Sequence, residues 1–338
     1  MSEQQEHTTP RRAMNRRSLL VSLAGTGLAP LAIAQDGRHL TIIVPQPAGN
    51  PSDVFARKLQ VQLQKSLGQP VIVENMPGAG GSIGVQKMLN APADGFTTVM
   101  VSQTEPILTP ATLASVRYKP EQMKPVGLLG RTSYVLAGRP GLPAQTHSEL
   151  LALARSADKT GKPLSFGHIG PGSMIHLMGA QWARLCGVQL VHIPYRGVPP
   201  AVQDLAGGQI DLSFVPLGGL ALDLITTGKL RAFGSTAEQS PALLPRVATL
   251  KTLDPALQSF VHTAWGALLV SRTTPDAALQ RLHQAFEAAM RDQEVQAFLR
   301  SQGTDPQAPL SLAALDKFYD AEVQKHQALA RAVGVVPE

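Results

Sequence analysis

From Leu40 onward the chain alternates short apolar, β-branched runs with longer stretches in which apolar residues recur at helical spacing. That alternation is the pattern of α/β construction, with strands buried on both faces and amphipathic helices between them. It predicts strands at Leu40–Val44, Pro70–Glu74, Thr97–Val101, Val126–Leu129, Tyr134–Ala137, Leu164–Gly167, Leu190–Ile193 and Ile210–Val215, with another inside Phe260–Val270. Phe55, Leu59 and Leu63 mark one face of a first helix. Thr146 and Glu149 form a capping box, and Ile175–Val188 and Leu217–Thr226 read as helices. Leu279, Leu282, Phe286 and Met290 form a late helical stripe, and Leu315, Phe318 and Leu329 mark the last helix. Gly138–Pro143 interrupts the pattern and reads as a crossing between two α/β lobes, with a return crossing in Phe260–Val270. The expected boundaries are residues 36–138 plus 262–338 for one lobe and 139–261 for the other. Two crossings place a ligand cleft between the lobes, where loops at strand ends converge.

The stretch Leu40–Asp53, LTIIVPQPAGNPSD, carries the strongest local signal. Its strand is stopped by Pro45, Pro47 and Gly49. Asn50 can then cap a helix, with Pro51 in its first turn and Asp53 three residues after the cap. Strand, loop and helix N-terminus make an anion cradle, because unpaired backbone N–H groups and the helix dipole both face the loop. Gly167–His176, GHIGPGSMIH, offers a second cradle, with the N–H groups of Gly172 and Ser173 and the Ser173 hydroxyl. Asn75–Gly84 is glycine-dense, yet it is neither GxGxxG nor a Walker loop; tight helix–sheet packing is its reading.

Composition narrows the function. Hydrophobic residues make up 43% and charged residues 16%, enough for a sizeable core. Aromatics at 4% do not furnish a stacking platform, and the net charge of +6 comes from Lys and Arg spread along the chain, so nucleic acid is not an expected partner. The adjacent basic pairs, Arg11-Arg12 and Arg16-Arg17, lie in residues 1–35, which read as a signal peptide. An apolar run from Leu19 to Ile33 follows them, too short to span a membrane, and Ala32-Ile33-Ala34 supplies a cleavage site near Ala34. The paired arginines resemble a twin-arginine export signal, a general secretory signal is the alternative, and Met14 is an alternative start to Met1. Removing residues 1–34 takes away four arginines and two glutamates and leaves about +4.

Catalytic and metal chemistry find little support in the spacing. Ser173 and His176 share a helix face, but the chain has no GxSxG elbow. His168, His176 and His192 lack HExxH or closely paired ligand spacing, so each reads as a structural or polar-network histidine. The single cysteine, Cys186, excludes an intrachain disulfide and falls in an apolar helical pattern. No metal, cofactor or catalytic residue is expected.

The chain resembles the substrate-binding receptors of tripartite tricarboxylate transporters, often called the Bug receptor family. The resemblance is carried by VPQPAGNPSD (44–53), LGQPVIVENMPGAGGSIG (67–84), ADGFT (93–97), VHIPYRG (191–197), LAGGQIDLSF (205–214), TGKLRAFGST (227–236) and AVGVVPE (332–338), in the family's order. It implies a two-lobed periplasmic-binding-protein-like fold, type II-like. It also implies a monomeric periplasmic receptor that captures a small carboxylate and hands it to membrane permease subunits. An exported enzyme, or a ligand-sensing receptor using the same cleft, are the alternatives. The ligand residues it points to are Gln46, Pro47, Ala48, Asn50 and Asp53 in the first loop and Ser102 and Thr104 after the third strand. In the second lobe they are His168, Gly170, Gly172, Ser173, Met174 and His176, with Tyr195 and Val215.

Departures from the family pattern bear on the ligand. Gln46 stands where an aromatic residue is usual, and Asn50-Pro51 replaces a Gly-Gly-like turn. His168, Ile169, Met174 and Ile175 stand where small hydroxyl residues are common, and Val215-Pro216 replaces an Asp-Asn-type pair. The expectation is a carboxylate without an ammonium group, with an apolar or aromatic portion against Met174, Ile175 and Val215.

Overall fold

The computed structural model describes residues 38–334; the expected signal peptide and the last four residues of AVGVVPE lie outside them. The chain opens with strand β1 (Leu40–Val44), α1 (Pro51–Leu67), β2 (Val71–Asn75), α2 (Ser82–Asn90) and β3 (Thr97–Val101). A π turn at Thr104–Leu108 and the short α3 (Thr109–Thr112) lead to the long β4 (Met123–Gly138). Next come α4 (His147–Lys159), β5 (Leu164–His168), α5 (Met174–Cys186), β6 (Leu190–Pro194), α6 (Val198–Ala206), β7 (Leu212–Pro216), α7 (Gly219–Thr226) and β8 (Arg231–Ser235). The chain returns through α8 (Leu250–Leu253) and β9 (Thr263–Ser271), and closes with α9 (Asp276–Arg291), α10 (Gln293–Ser301), β10 (Thr304–Pro306) and α11 (Leu312–Val333).

All ten strands join one mixed sheet in the order β2-β1-β3-β9-β4-β7-β5-β6, with β8 and β10 also on β4. β4 is the hinge of this arrangement. Its residues 123–133 run antiparallel to β9, and from Tyr134 it pairs with β7 and β8 instead. The pattern predicts two strands here, Val126–Leu129 and Tyr134–Ala137. The structure keeps one strand and absorbs the irregularity in register shifts at Pro125/Gly127 and Leu128/Gly130. The change of partners therefore falls inside one strand, ahead of the turn at Gly138–Pro143.

Helices cover both faces of each half, with separate buried clusters under α1, α9 and α10, under α2 and α11, under α4 and α5, and under α6 and α7. α11 serves both halves: Leu315 and Tyr319 pack in the first, Ala330 in the second. The capping box at Thr146 forms as predicted, with Glu149 N–H on Thr146 Oγ1 at 3.2 Å. Among the described residues, no helix is long and apolar enough to cross a membrane.

Two histidines are held neutral in the second half. His147 accepts the Trp182 indole N–H at 3.2 Å; burial lowers its pKa, against the pull of Asp254. His262 lies on the return crossing, with Nε2 2.7 Å from Gln181 Oε1. Burial, helped by Lys325 and His326, pulls it from 6.5 to about 3. A lowered folded-state pKa means that the unfolded chain takes up the proton more readily between those two values. The stability His262 contributes in this way is complete above about 6.5 and is lost as pH falls toward about 3, and that of His147 is likewise lost on acidification. Urea denaturation at pH 7 and pH 4 should therefore give a clearly lower midpoint at pH 4, with a smaller difference in His262→Asn. An equal pH dependence in that variant would show that His262 is not responsible.

Candidate functional site

Where the two halves of the sheet meet, loops at strand ends enclose a cavity of about 150 Å³. That is room for a molecule of roughly benzene's size. Its walls come from the starts of four helices: Pro51 and Ser52 of α1, Met174 and Ile175 of α5, Val198 and Pro199 of α6, and Gly219 to Ala221 of α7. First-turn N–H groups lack intrahelical partners and each helix N-terminus carries partial positive charge, so such ends turned to one space favour an anion; at α6 the Val198 N–H is taken by Asn50 and Pro199 and Pro200 have none, so that end contributes its dipole alone. Among the described residues, no Asp, Glu, Lys or Arg lines the cavity. The rest of the wall is apolar or neutral: Val54, Phe55, Val202, Leu220, Ala264 and Trp265, with Thr132, Tyr134, Gln302 and Thr304.

Of the residues expected from sequence, Gln46, Ser102, Thr104 and Met174 line this cavity, as does Ile175. Glu105, 2% exposed, lies behind the first two. It accepts Gln46 Nε2, Ser102 N–H at 2.9 Å and the Ser102 hydroxyl at 2.9 Å. Burial pushes the Glu105 carboxyl up while these donors pull it back. Ser102 Oγ also receives Thr104 N–H at 3.2 Å, so this wall is bonded within itself.

The other expected residues shape the loops from behind. Asn50 is at the α1 cap position, but its side chain makes no cap there. Instead Asn50 Oδ1 accepts the N–H of Val198, the first residue of α6, at 3.0 Å, and Asn50 Nδ2 donates to Pro47 O. This ties the first-half loop to a second-half helix, and Gly197 permits it: a Cβ there would stand 2.7 Å from Asn50 Nδ2. Asp53 accepts Gly49 N–H at 2.9 Å and Arg57 Nε at 3.0 Å, and so fixes the same loop. Pro47 and the exposed Ala48 are not in the cavity wall.

In the second loop the donors read from sequence are already engaged. Gly172 N–H bonds His176 Nδ1 at 3.0 Å, Ser173 N–H bonds Gly170 O at 3.2 Å, and Ser173 Oγ donates to Gly170 O at 2.8 Å while capping His176 N–H. His168, Gly170, Gly172, Ser173 and His176 sit behind Ile169, which does reach the cavity. Tyr195 donates its hydroxyl to Asp204 at 2.8 Å, and Val215 turns into the core under α6 and α7, leaving Pro216 as the lining residue.

The starts of α6 and α7 are not among the ligand residues expected from sequence, although PYRG-VPPAV and VPLG-GLAL have the same strand, glycine and helix-start signal as the first loop. Trp265 and Ala264 carry no such signal. They lie inside β9, and Trp265 is held by its N–H on Gln103 Oε1 and its indole N–H on Glu322 Oε2. The three histidines His168, His176 and His192 do meet: one ring nitrogen from each lies within 4.8 Å of the others, although the spacing had given no metal signal.

Two lobes that share a hinge strand and close over a charge-free cavity ringed by helix N-termini define a solute-binding protein of the periplasmic type. The chain matches the Tripartite tricarboxylate transporter family receptor over residues 55–335, and it belongs to that family. The protein BugT of Bordetella pertussis is 30% identical over 323 residues, covering 94% of this chain and 95% of the relative. The solved periplasmic binding protein BugD is 27% identical, with a TM-score of 0.81 over 89% of this chain and 99% of its own. MatC from Rhodopseudomonas palustris, solved with bound malate, is 27% identical, with a TM-score of 0.79 over 86% and 98%. The fold expected from the sequence is the one observed.

Proposed function

We propose that this protein captures a small organic carboxylate in the cavity between its lobes and delivers it to the permease subunits of a tripartite tricarboxylate-type transporter. The observation that carries the reading is the cavity wall, where four helix N-termini replace charged side chains as the site of an anion. In this reading the carboxylate meets the first turns of α1 and α7. The apolar portion of the ligand lies against Met174, Ile175, Phe55 and Trp265. Among the described residues no acidic side chain lines the wall to receive an ammonium group, so amino acids are not the expected ligands. Residues 1–35 direct export and are removed near Ala34. The mature chain acts in the periplasm as a monomeric binding protein with no catalytic step, its lobes bounded at about residues 138 and 262.

A thermal-shift screen of the chain from Asp36 tests this, using aliphatic and aromatic carboxylates, amino acids and sugars after unfolding and refolding to strip any retained ligand. A ligand that binds only the folded state, at a hundred times its dissociation constant, adds about 2.7 kcal/mol. A raised midpoint confined to carboxylates lacking an amine is the expected result. A preference for zwitterionic amino acids, or for neutral sugars, would overturn the proposal.

A further inference from the structure

Behind the second cavity loop, three imidazoles from separate elements form a cluster that the solute-binding role does not use. His168 ends β5, His176 is in the first turn of α5 and His192 is in β6. The rings of His168 and His176 stack at 4.5 Å, and that of His192 meets them edge-on at 5.5 and 4.9 Å. One ring nitrogen from each residue lies within 4.8 Å of the other two.

We propose that His168, His176 and His192 form a binding site for a divalent first-row transition-metal ion, of the zinc, nickel or cobalt kind. The feature that singles this cluster out is His192: its Nδ1 is buried and has no hydrogen-bond partner. A buried polar atom without a partner is rare in a folded protein. Imidazole nitrogen is the ligand these ions favour, whereas magnesium and calcium require oxygen.

The surroundings suit ligation. His168 Nδ1 lies 2.9 Å from Gly170 O and 3.2 Å from Gly170 N; in the tautomer with the proton on Nδ1, toward the carbonyl, the ring keeps a lone pair on Nε2. A backbone carbonyl on the second nitrogen is the arrangement that orients a metal-bound histidine. His176 and His192 are only half-buried, which leaves an ion a way in. His176 Nδ1 accepts Gly172 N–H at 3.0 Å. An ion must therefore displace that N–H or shift the ring proton, so its binding is felt by the 168–173 loop and, through Ile169, at the cavity wall. This inference does not rest on the carboxylate reading.

The test is titration of the untagged, chelator-treated full chain with zinc and then cobalt, in the absence of any carboxylate. Calorimetry should give one ion per chain, and cobalt should develop the visible bands of a nitrogen-ligated ion. Both signals should weaken at least ~100-fold in His192→Ala and in His176→Ala, while the solvent-exposed His39→Ala leaves them unchanged. Circular dichroism and the metal-free melting midpoint separate loss of the site from loss of the fold; a variant that does not fold is replaced by His192→Gln. Absence of stoichiometric binding to the parent chain, or binding that survives in folded His192 and His176 variants, would overturn the proposal.

Discussion

Replacing Ser52 with aspartate is expected to abolish carboxylate binding while leaving the fold intact. Ser52 is the second residue of α1, is 6% exposed, and lines the cavity. An acidic residue in a first helical turn interacts favourably with the helix dipole, so α1 should tolerate it. The same carboxylate would occupy the space assigned to the anion of the ligand. Two unit negative charges about 4 Å apart repel by about 4 kcal/mol at an effective dielectric constant of roughly 20, close to a thousandfold in affinity. Calorimetric titration with the best carboxylate from the thermal-shift screen reads this directly. The neutral Ser52→Asn variant should retain binding within about tenfold. If Ser52→Asp bound the ligand as tightly as the parent, the anion would not sit at the start of α1, and the orientation given above would be wrong.

The largest effect on stability is expected at Gly303, between α10 and β10. Its φ of +69° lies in the left-handed region, and a Cβ there would stand 1.4 Å from the Leu217 carbonyl oxygen. Its neighbours Gln302 and Thr304 line the cavity floor, facing Pro216 and Gly218. Gly303→Ala therefore combines left-handed strain of about 1–2 kcal/mol with overpacking of about 1–3 kcal/mol against backbone that has little freedom to yield. Gly334→Ala is the matched control, because Gly334 has a φ of +72° with nothing within 4 Å of a Cβ. Urea denaturation should show the control losing only the strain term and Gly303→Ala losing about 2–5 kcal/mol. Equal losses in the two variants would mean that the α10–β10 turn moves away from Leu217 at no cost.

Much of the frame was legible because its signals are local. β1 and β3 match the predicted bounds, since an apolar β-branched run ended by Pro or Gly states both its type and its limit. β8 and β10 escaped detection. RAFGS and TDP carry little strand propensity of their own and become strands by pairing with β4. The division of β4 failed for the opposite reason: the gap between the two predicted strands, residues 130–133, is held in one strand by pairing with β9.

The candidate site divides in the same way. Sequence by itself determined the α/β class, the two-lobed plan, the family resemblance and the helix start at Pro51, all of which rest on periodicity and on residues adjacent in the chain. Tertiary structure alone decided which helix starts face one another, that Asn50 Oδ1 caps α6 in place of α1, and that Val215 turns inward while Pro216 lines the cavity. It also gathered His168, His176 and His192 into one cluster. Each of these is a contact between segments distant in sequence, and its geometry depends on how sheet twist and helix packing bring strand ends together, information that no local spacing carries.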